Sequence, residues 1–353
     1  MNILFTCSAR KWGGNEAWVL NAIKALSGKH NVYLAYRESV VGERFAVPTY
    51  RLPFKNEADL YTLAKLVSII RKKNVDIIVP TKRKDYVLAG LACKQTKAKN
   101  ILILGIVRDL KKTLINNLVY NKLANGIMVN AYMIKDVLLK SPYMIPEKIA
   151  VIPNSLAIKK KAVTPVPKKK PFMITSLGEL SERKGFDFLL RGFARFVHEL
   201  NTNDVELIII GSGGQLENLK QLSQNLNIEH LVTFTGFQKD PYPMLLSSDV
   251  FALTSKNEGL PYAILEAALL DNAIIATKAG GIEELLIERK HCLYVKYGDE
   301  ISLSHKLLEL YNDGGMRKKL AVNAQFTVEK HFSPEIMEQK MVSFFQKIQQ
   351  GNN

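Results

Sequence analysis

The sequence predicts an α/β protein made of two doubly wound domains of parallel sheet. Three observations carry this. Short, continuously apolar runs alternate with longer stretches of helical period along both halves of the chain. The alternation is interrupted once, at Lys159–Pro171, where two lysine triplets flank Pro165-Val-Pro167. The length, 353 residues, exceeds what one ordinary hydrophobic core holds.

In the first half, strands are expected at Asn2–Cys7, Val32–Tyr36, Asp76–Pro80, Ile101–Val107, Gly126–Asn130 and Ile149–Pro153. These runs are apolar without polar alternation, the pattern of strands covered on both faces. Helical periodicity lies between them, as in Asp59–Lys73 and Leu110–Ala124. The lysine- and proline-rich break reads as an extended, polar spacer over residues 158–171. Strands then resume at Phe172–Leu177, Val205–Gly211, Leu231–Phe237, Val250–Ser255, Ala273–Thr277 and Leu293–Lys296, with helices at Phe186–Leu200, Leu216–Leu226, Tyr262–Leu270 and Ile282–Ile287. From Ile301 to about Gln349 the pattern is wholly helical. The expected domains are 1–157 and 172–333, with a final helix in 334–353. In such folds a ligand sits at the carboxyl ends of the strands, here in a central cleft that the two domains face.

Composition narrows the function. Apolar residues make up 47% of the chain, a globular value. Cys7, Cys93 and Cys292 share no metal-type or C-x-x-C spacing, which suits a reducing compartment. The apolar start, Met1–Ala9, precedes its charges and is too short for a signal peptide, and no apolar run is long enough to span a bilayer. A cytoplasmic protein is expected. Residues 1–170 carry 31 Lys+Arg against 10 Asp+Glu, whereas 171–353 carry 18 against 23. The first half therefore favours an anionic partner: a glycan, a lipid surface, or nucleic acid. Nucleic acid is the weaker option, since the cations are scattered and no recognition helix or aromatic-basic array is present.

The chemistry concentrates in strand-end loops. Glu258-Gly-Leu-Pro-Tyr-Ala-Ile-Leu-Glu266 leaves a strand and opens a helix, with Pro261 suited to the first helical position. Glu266 is the lone charge between Leu260 and Leu270, so a largely buried carboxylate is expected, and ligand hydroxyls would satisfy it. A glycosidase pair is disfavoured, because eight helical steps span about 12 Å, beyond the roughly 5–9.5 Å those enzymes use. Gly13-Gly14 follows the first strand and precedes a helix, a place for phosphate. Gly178-Glu-Leu-Ser-Glu-Arg-Lys-Gly185 repeats the arrangement, with Arg183 and Lys184 suited to a diphosphate. Gly211-Ser-Gly-Gly214, Thr235–Asp240 with Phe237, and Lys278-Ala-Gly-Gly281 occupy other strand ends of the same sheet. There is no D-x-D pair and no Cys/His cluster, so neither a metal nor another cofactor is expected.

Taken together, these residues resemble glycosyltransferase family 4, retaining enzymes of the GT-B fold, most clearly from Phe172 to about Leu286. The E-x7-E motif is met by Glu258 and Glu266, and the family's G-R-L-x-x-x-K-G is met in spacing by Gly178–Gly185. Its first glycine pair is met by Gly13-Gly14, its Gly-Gly-x-x-Glu by Gly280–Glu284, and its Pro-Asn by Pro153-Asn154. The resemblance implies transfer of a sugar from a nucleoside-diphosphate sugar, UDP favoured, to a glycan or lipid-linked glycan without a metal. It places Glu258 at the donor sugar, Glu266 at the ribose hydroxyls, Gly259 and Leu260 near sugar and phosphates, and Lys184 at the leaving diphosphate, with Arg183 as the substitute for a family arginine that this chain lacks. Glu179 stands where the family commonly has Arg. Arg108-Asp109 stands where many members have His-Asp on the acceptor side. The acceptor is expected to be anionic or membrane-borne, with peripheral contact to an anionic bilayer and no obligate protein partner. A nucleotide-sugar epimerase on the same fold is the alternative enzyme.

Overall fold

The computed structural model describes residues 1–105, 110–111 and 113–351. The chain forms two compact units, Met1–Ser155 with Phe332–Asn353, and Leu156–His331.

The first unit holds strands β1 (Asn2–Cys7), β2 (Asn31–Tyr36), β3 (Thr49–Arg51), β4 (Ile77–Pro80), β5 (Lys99–Leu104), β6 (Gly126–Val129) and β7 (Ile149–Val151). They form one parallel sheet in the order 3-2-1-4-5-6-7, so β1 lies between β2 and β4, where the winding direction reverses. β3 was not legible in the sequence: three residues are too short for a periodic signal. The helix Pro334–Gln350 returns to this unit and packs on the helix Gly14–Leu26. It opens with Ser333 as N-cap and Pro334 in the first turn, and Glu338 pairs with Lys29 at 3.0 Å.

Two expectations differ here. The stretch Leu110–Ala124 is not one helix. A short helix, Leu114–Asn117, passes into a π-turn, Leu118–Lys122, and the apolar residues of the stretch divide between core and solvent. Leu110 and Val119 are buried, while Leu114 is 88% and Leu118 50% exposed. The strand expected over Ile101–Val107 ends at Leu104; Ile106 and Val107 lie outside the described residues.

The second unit holds β8 (Phe172–Leu177), β9 (Val205–Ile210), β10 (Val232–Gly236), β11 (Val250–Leu253), β12 (Ala273–Thr277) and β13 (Cys292–Val295). Their order is 10-9-8-11-12-13, again all parallel, with the reversal between β8 and β11. The helix Phe186–Leu200 shows why the core forms. Phe186, Leu189, Leu190, Phe193, Phe196 and Val197 fall on one face and are buried, while Asp187, Arg191, Arg195 and Glu199 face water. Burying each large apolar side chain contributes about 1.5–3 kcal/mol. Asn201, in the left-handed conformation at φ 48°, stops the helix. The lysine-rich stretch before β8 is tied to this unit. The Ser247 hydroxyl donates to the Val166 carbonyl at 2.8 Å, Lys168 pairs with Asp249 at 2.7 Å, and Lys160 pairs with Asp271.

Candidate functional site

Open parallel sheets bind ligands at the carboxyl ends of their strands, where the order reverses. In the second unit that point lies between β8 and β11, and the loops leaving these strands are Gly178–Gly185 and Thr254–Pro261. Three short contacts join them. The Lys256 N–H donates to the Arg183 carbonyl at 2.8 Å. Gly185 has φ +65°, and a Cβ there would lie 2.1 Å from the Thr254 carbonyl oxygen, so only glycine lets the first loop pass this close. The Thr254 hydroxyl donates to the Lys184 carbonyl at 3.4 Å.

This packing delivers Lys184 and Arg183 to Glu258. Lys184 Nζ donates to Glu258 Oε1 at 2.6 Å, the Ser255 hydroxyl donates to the same oxygen at 2.7 Å, and Arg183 Nη1 donates to Oε2 at 3.1 Å. Arg183 Nη1 also donates to the Asn257 carbonyl at 2.8 Å. Glu258 is buried. Burial alone would push its carboxyl up, but the Lys184 charge, the hydrogen bonds from Lys184 and Ser255, and the Arg183 charge outweigh it and hold the carboxyl below the usual range. Gly280 closes the far side, since a Cβ there would lie 2.0 Å from the Glu258 carbonyl oxygen, and the Gly281 N–H donates to the Gly259 carbonyl at 2.8 Å.

Glu266 is the opposite case. It projects from the helix Tyr262–Leu269, whose Ala263, Ile264, Leu265, Ala267, Ala268 and Leu269 are buried. Its half-buried carboxyl has no hydrogen bond or ion pair among the described residues, and desolvation alone raises it to about 7. Tyr242, from the helix Tyr242–Ser247, lies close enough to feel its charge, and burial together with that charge raises the phenol. The helix begins at Tyr262 as expected, with Pro261 as its N-cap rather than its first helical residue. Glu258 precedes the helix, so helical rise does not measure the separation of the two carboxylates and gives no argument against a hydrolase.

The other strand-end residues lie along the same edge of this sheet. Gly211 follows β9 and packs against Gly178; its N–H donates to the Gly236 carbonyl at 2.9 Å, and the Leu180 N–H donates to the Ser212 carbonyl at 3.0 Å. Phe237, after β10, is 57% exposed and therefore not a core residue. Glu179 is exposed. Ser255 and Tyr242 were missed in the sequence, because one contact is made across a loop and the other between separate helices. Gly259 and Leu260 follow Glu258 and lead into the helix.

Gly13 and Gly14 belong to the first unit. Gly13 is the extended N-cap, and Gly14 the first residue, of the helix Gly14–Leu26. Arg108 and Asp109 lie outside the described residues. Among the described residues, no group of three or more His, Cys, Asp or Glu is placed to hold a metal ion, and no helix is long and apolar enough to cross a membrane.

Two parallel sheets of this topology, each reversing beside its first strand, define the GT-B fold. Solved structures share it over the whole chain: HepE of Anabaena, crystallised with UDP, superposes with a TM-score of 0.85 at 20% identity, over 98% of this chain and all of that one. Residues 158–326, the part that carries both glutamates and both cations, match the family of glycosyl transferases group 1. The lipopolysaccharide core biosynthesis glycosyltransferase LpsE of Rhizobium meliloti is 29% identical over 46% of each chain, so the match spans about half of that relative. A longer alignment, 26% identical over 85% of this chain and 81% of the relative, is with the UDP-Gal:alpha-D-GlcNAc-diphosphoundecaprenol alpha-1,3-galactosyltransferase of Escherichia coli.

Proposed function

We propose that this protein is a retaining glycosyltransferase, moving a hexose from a nucleoside-diphosphate sugar, UDP-sugar favoured, to a glycan or lipid-linked glycan in cell-surface polysaccharide or lipopolysaccharide synthesis. The observation that carries the reading is the contrast between two carboxylates on one loop and helix. Glu258 is ionised and held by Lys184, Arg183 and Ser255, whereas Glu266 is half-buried with no partner. A partnerless carboxyl on an apolar helix suits a ligand that brings its own donors, and vicinal ribose hydroxyls are such donors. Phe237, exposed at the next strand end but one, suits a base.

In this mechanism Lys184 and Arg183 stabilise the departing diphosphate. Lys184 gives one of its three N–H bonds to Glu258, and the others remain for phosphate oxygens. The ion pair fixes the ammonium before substrate arrives, which is how preorganised charge lowers a barrier as a leaving group gains charge. The backbone N–H groups of Gly259 and Leu260 add to the same field, and the diphosphate charge is assigned to these groups rather than to a metal. The relatives, a lipopolysaccharide core glycosyltransferase and a diphosphoundecaprenol galactosyltransferase by name, support a lipid-linked or lipopolysaccharide acceptor. Arg108 and Asp109 are assigned to the acceptor side.

Peripheral contact with an anionic membrane on the cytoplasmic face belongs to the same proposal. Leu114, Ile115 and Leu118 are 88%, 63% and 50% exposed, beside Lys111 and Lys122. Sedimentation with anionic vesicles is expected to exceed that with neutral ones, to weaken with salt and to fall for Ile115→Glu; equal sedimentation refutes the contact. The transfer reaction is tested by incubating labelled UDP-, GDP-, ADP- and dTDP-sugars with a bacterial lipid extract, with and without chelator. Label is expected in the extract from one donor, without dependence on metal, and much less with Lys184→Gln. A donor converted to its epimer without the extract overturns transfer.

A further inference from the structure

The reversal point of the first sheet gathers cations. β1 lies between β2 and β4, and each of these three strands is followed within four residues by a basic side chain: Arg10, Arg37 and Lys84. Backbone contacts fix the last two around the end of β1. The Arg37 N–H donates to the Cys7 carbonyl at 3.3 Å, and Asp85, next to Lys84, accepts from the Ser8 N–H at 3.0 Å. Lys84 is half-buried, and neither it nor Arg10 has an ion-pair or hydrogen-bond partner among the described residues. Arg37 is partly compensated: its Nε donates to Glu38 at 3.1 Å and its Nη1 to the Phe54 carbonyl at 3.3 Å.

The acids nearby do not balance this group. Glu16 is taken by Lys82 at 3.0 Å. Asp85 is wholly buried and raised to about 6, first by desolvation. Lys84 is held below its ordinary value by burial and then by the Arg37 charge, Arg10 adding to it, with Asp85 and Glu57 acting the other way. Like charges brought together and partly desolvated destabilise one another, and an anion placed among them relieves this.

We propose that Lys84, Arg37 and Arg10 form a subsite for an anionic group, phosphate or carboxylate, on the acceptor sugar. The proposal rests on the transfer reading and narrows its acceptor to a charged glycan. Loops at this end of a sheet are where a ligand meets several strands at once, and a guanidinium beside an ammonium suits a planar or tetrahedral oxyanion.

The test is calorimetric titration of the full chain, saturated with UDP to fill the nucleotide site, with glucose 1-phosphate, glucuronate and neutral glucose. One anionic sugar is expected to bind at one site, about tenfold more tightly than glucose, and the stronger arm tells phosphate from carboxylate. Lys84→Gln and Arg10→Gln are expected to weaken it about tenfold each, while Lys72→Gln, on an exposed helix face, leaves it unchanged. UDP affinity serves as the folding control for all three variants. Equal binding of glucose, displacement of the anion by UDP, or indifference to Lys84→Gln overturns the subsite. If the chain binds the anionic sugar through Lys84 but does not bind UDP, the transfer reading fails and the subsite stands.

Discussion

Replacing Glu266 with glutamine separates a charge kept for a ligand from a charge that stabilises the fold. The carboxyl is moved from 4.5 to about 7 by burial alone, with no cation or hydrogen-bond donor offsetting it. At about 1.4 kcal/mol per pH unit, the displacement corresponds to an upper bound of about 3.5 kcal/mol, reduced by the exposure the side chain retains. The sign follows from the raised folded value. Below pH 4.5 the carboxyl is protonated whether folded or not, and the favourable contribution is fully present. As pH rises toward 7 the unfolded chain ionises first, and stability is lost until the folded group also ionises. Urea unfolding of wild type and Glu266→Gln at pH 4.5 and pH 8, compared by difference, cancels the other titrating groups. The two proteins are expected to be nearly equal at pH 4.5, and the variant more stable by up to about 3.5 kcal/mol at pH 8. A difference that does not change with pH, or a wild type more stable at pH 8, refutes the argument that Glu266 is unpaired and desolvated.

Lys184→Ala leaves buried Glu258 with only Arg183 and Ser255, and is expected to cost about 3 kcal/mol at pH 7. Because the Glu258 carboxyl is held low, that contribution is present above pH 4.5 and lost as pH falls through its depressed value, so denaturation curves of the two proteins should converge in acid. Gly185→Ala forces a side chain into φ +65° against the Thr254 carbonyl, and should lower thermal stability by about 2 kcal/mol or more while weakening nucleotide binding.

The sheets were readable because their strands are continuous apolar runs. β1, β8 and β12 have the bounds the sequence predicts, as does the helix Phe186–Leu200, with its unbroken apolar face. Leu110–Ala124 misled because leucines at helical spacing carry no sign of which side the core lies on: Val119 is buried and its neighbour Leu118 is 50% exposed. At the site, glycines and charges at strand ends announced the loops, and Glu266 stood out as a charge in an apolar helix. The contact of Ser255 with Glu258 depends on how one loop folds back on itself, and the approach of Tyr242 to Glu266 on how two separate helices pack. The cation group at Arg10, Arg37 and Lys84 was visible only as an excess of charge over the first half, because its members are brought together by strand order.

The central claim is that the Glu258–Glu266 segment binds a nucleoside-diphosphate sugar. It is tested most directly by thermal unfolding of wild type and Glu266→Ala with UDP-, GDP-, ADP- and dTDP-sugars, each read against the same protein without ligand. One donor is expected to stabilise wild type by about 2.7 kcal/mol at a hundred times its dissociation constant, and to leave Glu266→Ala unmoved. Equal stabilisation of both proteins, or none by any donor, would contradict the account.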